Sequence, residues 1–159
     1  MKHKTIYFSA IFLILTTFIF PFKRKNKQKP VLKPKPCCVL GLATYLGESA
    51  VILEQICKSK SRMTIYFHTK NMSGTCAHPP STILIDQKGR RYPLLNSIGI
   101  PDCSSGKLNQ KPDSKFRWIF KAFTEDVKTF TLKEVEDDVT IGMQYWIWKD
   151  VDVSHCNFK

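Results

Sequence analysis

Between Lys115 and Phe123 three large aromatic residues, Phe116, Trp118 and Phe120, fall on alternate positions, with Arg117 and Lys121 among the residues between and after them. A period of two places one side-chain set on one face of a strand, whereas a helix buries its stripe at a period of about 3.6. This segment can bury its aromatics only as a half-exposed strand. Residues 62 to 69 repeat the pattern, with Met63, Ile65 and Phe67 on a core face and Thr64, Tyr66 and His68 on the other. No stretch after Cys38 carries helical periodicity. Short β-rich runs alternate instead with turn chemistry, which is the pattern of an all-β domain.

Seven or eight strands can be read. The first two, 39 to 45 and 50 to 57, are joined across Leu46-Gly47-Glu48-Ser49. After the third, 62 to 69, residues 82 to 86 and 91 to 95 form a hairpin around Gln87-Lys88-Gly89-Arg90, with Gly89 supplying a positive φ. Pro93 has no N–H to give to a ladder and predicts an edge position for the return strand. The strand from Lys115 to Phe123 comes next, followed by Lys128 to Val135 and Gln144 to Val153.

Several of these pieces carry a resemblance: Val51-Ile-Leu-Glu-Gln-Ile56, Met63-Thr-Ile-Tyr-Phe67, Asp86-Gln-Lys-Gly-Arg-Arg-Tyr92, Phe116-Arg-Trp-Ile-Phe120 and Phe130-Thr-Leu-Lys-Glu134. In this order they resemble exported bacterial immunoglobulin-like β-sandwich domains of unknown function, over most of residues 39 to 153. The resemblance implies an antiparallel immunoglobulin-like sandwich, which an N-terminal hydrophobic helix, read from the apolar run before residue 23, would precede. It brings no active residue with it.

Charge separates the chain into parts. Residues 1 to 36 hold nine Lys/Arg and no acid, whereas 37 to 159 hold sixteen Lys/Arg against thirteen Asp/Glu. The net +12 therefore lies mostly in the tail, and the domain offers no broad electrostatic footprint for nucleic acid. Residues 1 to 22 read as a signal peptide or membrane anchor: Lys2 and Lys4 precede an uncharged apolar run from Thr5 to Phe22. Neither a small-x-small cleavage site nor a lipobox follows, which favours an anchor. Residues 23 to 36, with Pro30, Pro34 and Pro36 set among lysines, read as an extended, solvated tether. The basic run from Lys23 to Lys29 opposes export under the positive-inside rule, while the cysteines and the β domain favour it. The expectation is an extracytoplasmic domain, with an inward-facing one as the alternative.

Six cysteines without a CxxC pair, behind an export-like N-terminus, point to structural disulfides. If Leu46 to Ser49 is a tight turn, residues whose numbers sum to 95 face each other. That register sets Cys38 opposite Cys57. Cys76 and Cys103 lie in loops on either side of the 86 to 92 hairpin and are expected to pair, leaving Cys37 for Cys156. The competing reading makes the cysteines metal ligands with His68, His78 and His155, a zinc-like donor set whose spacing matches no known arrangement.

Tyr145-Trp-Ile-Trp148 is apolar on both faces. Its tryptophans either fill the core or, as Trp146 and Trp148 exposed together, make a platform for a sugar or protein. Glu134, Glu136, Asp137 and Asp138 lack the glycine-bearing loop of a calcium site and read as a solvated turn. Asn71-Met72-Ser73 matches a glycosylation sequon by pattern alone. There is no nucleophile elbow, HExxH motif or phosphate-cradling glycine loop, and no cofactor is indicated. The function expected is a non-catalytic, membrane-tethered binding or assembly module with another envelope protein as partner. The alternatives are a carbohydrate-binding module built on the tryptophans and a zinc-dependent protein.

Overall fold

A computed structural model describes residues 36–134 and 145–158. The hydrophobic segment 1 to 22 and all of the tether except Pro36 lie outside the described residues. So do Glu136, Asp137 and Asp138. No helix among the described residues is long and apolar enough to cross a membrane.

The described chain is all-β. Its strands are β1 (Cys37–Leu46), β2 (Ser49–Lys58), β3 (Arg62–Lys70), β4 (Ile83–Asp86), β5 (Arg91–Ile98), β6 (Lys115–Lys121), β7 (Thr129–Lys133) and β8 (Ile147–Asp152). All ladders are antiparallel and run in the order β1-β2-β3-β6-β5-β4-β7-β8. The sheet is continuous and curls until its ends approach each other. Thr44 Oγ1 donates to the Ile147 carbonyl at 2.9 Å, and the Trp148 indole N–H donates to the Leu42 carbonyl at 3.0 Å. These bonds cover the edges of β1 and β8, which open sheets leave exposed to other chains.

The alternation in β3 and β6 does what the sequence pattern requires. Met63, Ile65, Phe67, Trp118 and Phe120 are all fully buried, while Lys115, Arg117 and Lys121 are exposed. Phe67 lies at the centre of an aromatic cluster, with ring centroids 4.8 Å from Phe116, 4.8 Å from Trp118 and 5.2 Å from Trp148. In β2 a bulge at Glu54, between Leu53 opposite Phe67 and Gln55 opposite Tyr66, moves the parity by one. Val51, Leu53 and Ile56 therefore all reach the core despite their unequal spacing.

β5 corrects the edge position expected from Pro93. The strand is paired on both sides: Arg91 to Pro93 with β4, then Leu94 to Ile98 with β6. The Leu94 N–H points to the β4 side, where it donates to the Thr82 carbonyl at 3.1 Å. Successive strand amides point in opposite directions, so the nitrogen of Pro93 faces the β6 side, just before that ladder begins. The proline therefore removes no ladder bond and marks the bend where β5 passes from one partner to the other.

A second bulge revises the cysteine pairing. From Leu46 opposite Ser49 to Leu42 opposite Leu53 the partners sum to 95 as expected, but beyond the irregularity between Val39 and Leu42 they sum to 94. Leu40 and Gly41 together face Glu54, and Gly41 takes φ +64°, the left-handed conformation that glycine adopts without strain. One extra residue puts Cys37, not Cys38, opposite Cys57. The disulfides are Cys37–Cys57, Cys38–Cys156 and Cys76–Cys103. Cys38 alternates onto the buried face and meets Cys156 from the C-terminal segment.

A candidate ligand cleft around Glu134

The residues offered by the sequence as a site do not assemble into one. Trp146 and Trp148 are 3% and 4% exposed, so they form no surface platform. Trp146 packs on Phe116 and Trp118, with centroids 5.5 and 6.0 Å apart, and Trp148 packs on Phe67. The curl of the sheet that brings β8 beside β1 covers the face that an isolated strand would leave open.

The candidate metal ligands are dispersed as well. His68 pairs with Glu54 at 2.8 Å on the outer face of β3. Cys76 is bonded to Cys103. His155 does lie close to sulfur, its Nε2 at 3.6 Å from Cys38 Sγ and 3.8 Å from Cys156 Sγ, but these two sulfurs are bonded to each other. Zinc takes thiolate rather than disulfide sulfur.

Glu134, the member of the acidic run that lies among the described residues, departs from the solvated turn expected of it. Glu134 is 3% exposed, at the end of β7. The signal was present in the sequence: Phe130 and Leu132 are buried, and the same period of two carries Glu134 onto the core face. Its backbone N–H donates to the Trp146 carbonyl at 3.0 Å, and its carbonyl accepts from Thr82 Oγ1 at 3.3 Å. Its carboxylate accepts two backbone bonds, Oε1 from the N–H of His78 and Oε2 from that of Trp146, each at 3.2 Å. Burial, only partly opposed by these two bonds, pushes its pKa up to about 7.

Glu134 lines a cleft of about 380 Å³ together with Leu46, Met72, Thr75, His78, Tyr145 and Trp146, among others. Its walls are fixed from several directions. Thr75 and Asn109 form an antiparallel bridge, Ala77 and Asp102 a parallel one, and the Cys76–Cys103 bond lies between them. Further along, buried Thr69 donates to the Pro112 carbonyl at 2.9 Å and accepts from the Ser114 N–H at 2.9 Å. The loop before β4 and the loop before β6 are thereby joined into one wall. His78 and Tyr145 meet edge to face across the cleft, with centroids 6.0 Å apart.

The cleft joins a buried acid, its pKa pushed up to about 7, to aromatic rings and to the side chains of Leu46 and Met72. Such a group can hold or release a proton, accept a hydrogen bond, or neutralise a cation. Elsewhere, buried Asp86 at the β4–β5 turn is fully committed to its own hairpin. It accepts from the N–H groups of Lys88 and Arg90 at 2.8 and 3.0 Å, from Arg90 Nε at 2.6 Å and from the Tyr92 hydroxyl at 3.0 Å. Burial pushes this carboxyl up, but those bonds outweigh it and hold the group below the usual carboxylate range. That is a structural role for the Asp86 to Tyr92 motif. Comparison with known proteins finds no relative: no family model matches the chain, and neither curated proteins nor solved structures give a significant match.

Proposed function

We propose that this chain is a non-catalytic binding module, held at the extracytoplasmic face of a membrane by residues 1 to 22 and the tether 23 to 36, with another envelope protein as its partner. The observation that carries the reading is the pairing of all six cysteines into three disulfides within one small β domain. Structural disulfides accumulate in oxidising compartments and are rare where thiols are kept reduced. The bend of β5 supports the finer reading of the fold as an immunoglobulin-like sandwich, with β1, β2, β3 and β6 on one side of the bend and β4, β7 and β8 on the other. The module binds through the Glu134 cleft, since the tryptophans are used by the core.

Cysteine labelling in intact cells tests this reading. An impermeant thiol reagent should label the protein only after reduction with an impermeant reductant. Labelling of free thiols that appears only after lysis, with no reductant added, would place the domain in a reducing compartment and overturn the proposal.

A further inference from the structure

The reading of the chain as a binding module leaves the chemistry of its ligand open, and the Glu134 cleft narrows it. The carboxylate has about four acceptor positions and uses two of them on the His78 and Trp146 amides. Among the described residues, no lysine or arginine lines the cleft and none forms an ion pair with Glu134. A second, independent observation lies in the same lining. Thr75 is 93% buried there, and its hydroxyl has no hydrogen-bond partner among the described residues. Buried hydroxyls are nearly always satisfied, and an unpaired one in a cleft lining calls for a partner. The rings of His78, Tyr145 and Trp146 complete the lining. The face of a tyrosine ring carries negative potential and attracts cations.

We infer that the cleft binds an ammonium group, with the Glu134 carboxylate as counter-ion, the Thr75 hydroxyl as a further acceptor and the aromatic rings as its walls. An anion is excluded by the carboxylate, and a wholly apolar ligand would leave both oxygen sites unpaired. The volume of about 380 Å³ is at the small end for ligand cavities, the size for a lysine side chain or a short alkylamine rather than a large molecule. This inference rests on the binding-module reading for its biological sense, but not on its localisation.

Among the described residues, the other titratable groups that line the cleft are His78, from the loop before β4, and Tyr145, just before β8. Ammonium binding must compete with the proton on Glu134, so acidification should weaken it. Between pH 8 and pH 5.5 the ionised fraction of a carboxyl with pKa about 7 falls about thirty-fold.

The experiment is a titration of the purified full chain, followed by tryptophan fluorescence and calorimetry, with n-butylammonium, N-acetyl-lysine amide and the neutral analogue 1-butanol. Both amines should bind saturably at pH 8, 1-butanol should not, and affinity should fall on the order of thirty-fold by pH 5.5. His78→Asn should retain most of that fall, because the histidine is not the counter-ion. Glu134→Gln should abolish amine binding, and Thr75→Val should weaken it several-fold without moving the pH midpoint. Equal binding of 1-butanol, or no saturable change for either amine up to about 50 mM, would overturn the inference. The comparison of charged with neutral probes needs only the wild-type protein, so a variant that fails to fold does not remove the test. Binding of n-butylammonium alone supports a free amine as ligand, and binding of both amines supports a lysine side chain. Failure here leaves the thiol-labelling result standing, and failure there leaves amine binding by the purified chain unaffected.

Discussion

Glu134 should make the stability of this protein fall as pH rises through neutrality, and Glu134→Gln should remove that dependence. The buried carboxyl has a pKa of about 7 against an ordinary value of 4.5. Between those values the folded state holds a proton that the unfolded chain has released. Unfolding then releases a proton, so stability declines as pH rises through this window and levels off above about pH 8. A difference of about 2.5 pH units corresponds to about 3 kcal/mol between pH 4.5 and pH 8. Glutamine does not titrate, but its NH₂ group cannot accept from both the His78 and the Trp146 amides as the carboxylate does. One buried N–H loses its partner, at about 1–2 kcal/mol. The two effects have opposite sign at high pH. The variant should be less stable than wild type at pH 4 and more stable at pH 8, with the curves crossing near pH 5–6. Urea unfolding of the full chain in mild detergent, with disulfides intact and buried tryptophan fluorescence as the signal, would measure this. Parallel pH profiles for the two proteins would refute the burial argument.

The remaining predictions concern the frame that holds the cleft. Asp86→Ala should cost about 3–5 kcal/mol in urea unfolding, because it leaves Arg90 and the Tyr92 hydroxyl without their shared acceptor. Since the Asp86 carboxyl is held below its ordinary range, its contribution is complete above about pH 4 and is lost only as pH falls through the folded value, the opposite sense to Glu134. Replacing Cys38 and Cys156 together by alanine opens a loop with a sequence separation of 118 and should cost about 5 kcal/mol, against about 3 kcal/mol for the Cys37–Cys57 pair with its separation of 20. Thermal melts of the two double variants would order them. Gly99→Ala should destabilise by about 2–4 kcal/mol, because φ is +90° and a Cβ there would lie 2.9 Å from the Lys115 carbonyl oxygen. A melting temperature within a degree or two of wild type would contradict that geometry.

The strands were legible because the period of two is written directly into the chain. Phe116, Trp118 and Phe120 have a single way to be buried together, and Met63, Ile65 and Phe67 obey the same constraint. The hairpin around Gly89 was legible for a similar reason, since its φ of +75° is a local demand. Pro93 was misplaced because a missing N–H is harmless or harmful according to what lies beside it. Trp146 and Trp148 show the same limit. A strand apolar on both faces signals that something covers each face, but not that β1 comes round to meet β8. Glu134 stood at an inward position by simple alternation after Phe130 and Leu132, yet the acids that follow it in sequence masked that signal.

By itself the sequence determined strand parity in β3 and β6, the turn around Gly89, the division between a basic tail and a near-balanced domain, and the presence of enough cysteines for a cross-linked core. These follow from short-range sterics and from composition, which act within a few residues. Which cysteine met which, and which acid became a site, was decided only by tertiary structure. One extra residue at Leu40-Gly41 shifts the β1–β2 register and reassigns two disulfides, and the joining of distant loops across Cys76–Cys103 buries a carboxylate that in isolation would be hydrated. Pairing over long separations depends on the closure of the whole sheet, and so does the loss of water from a charged group.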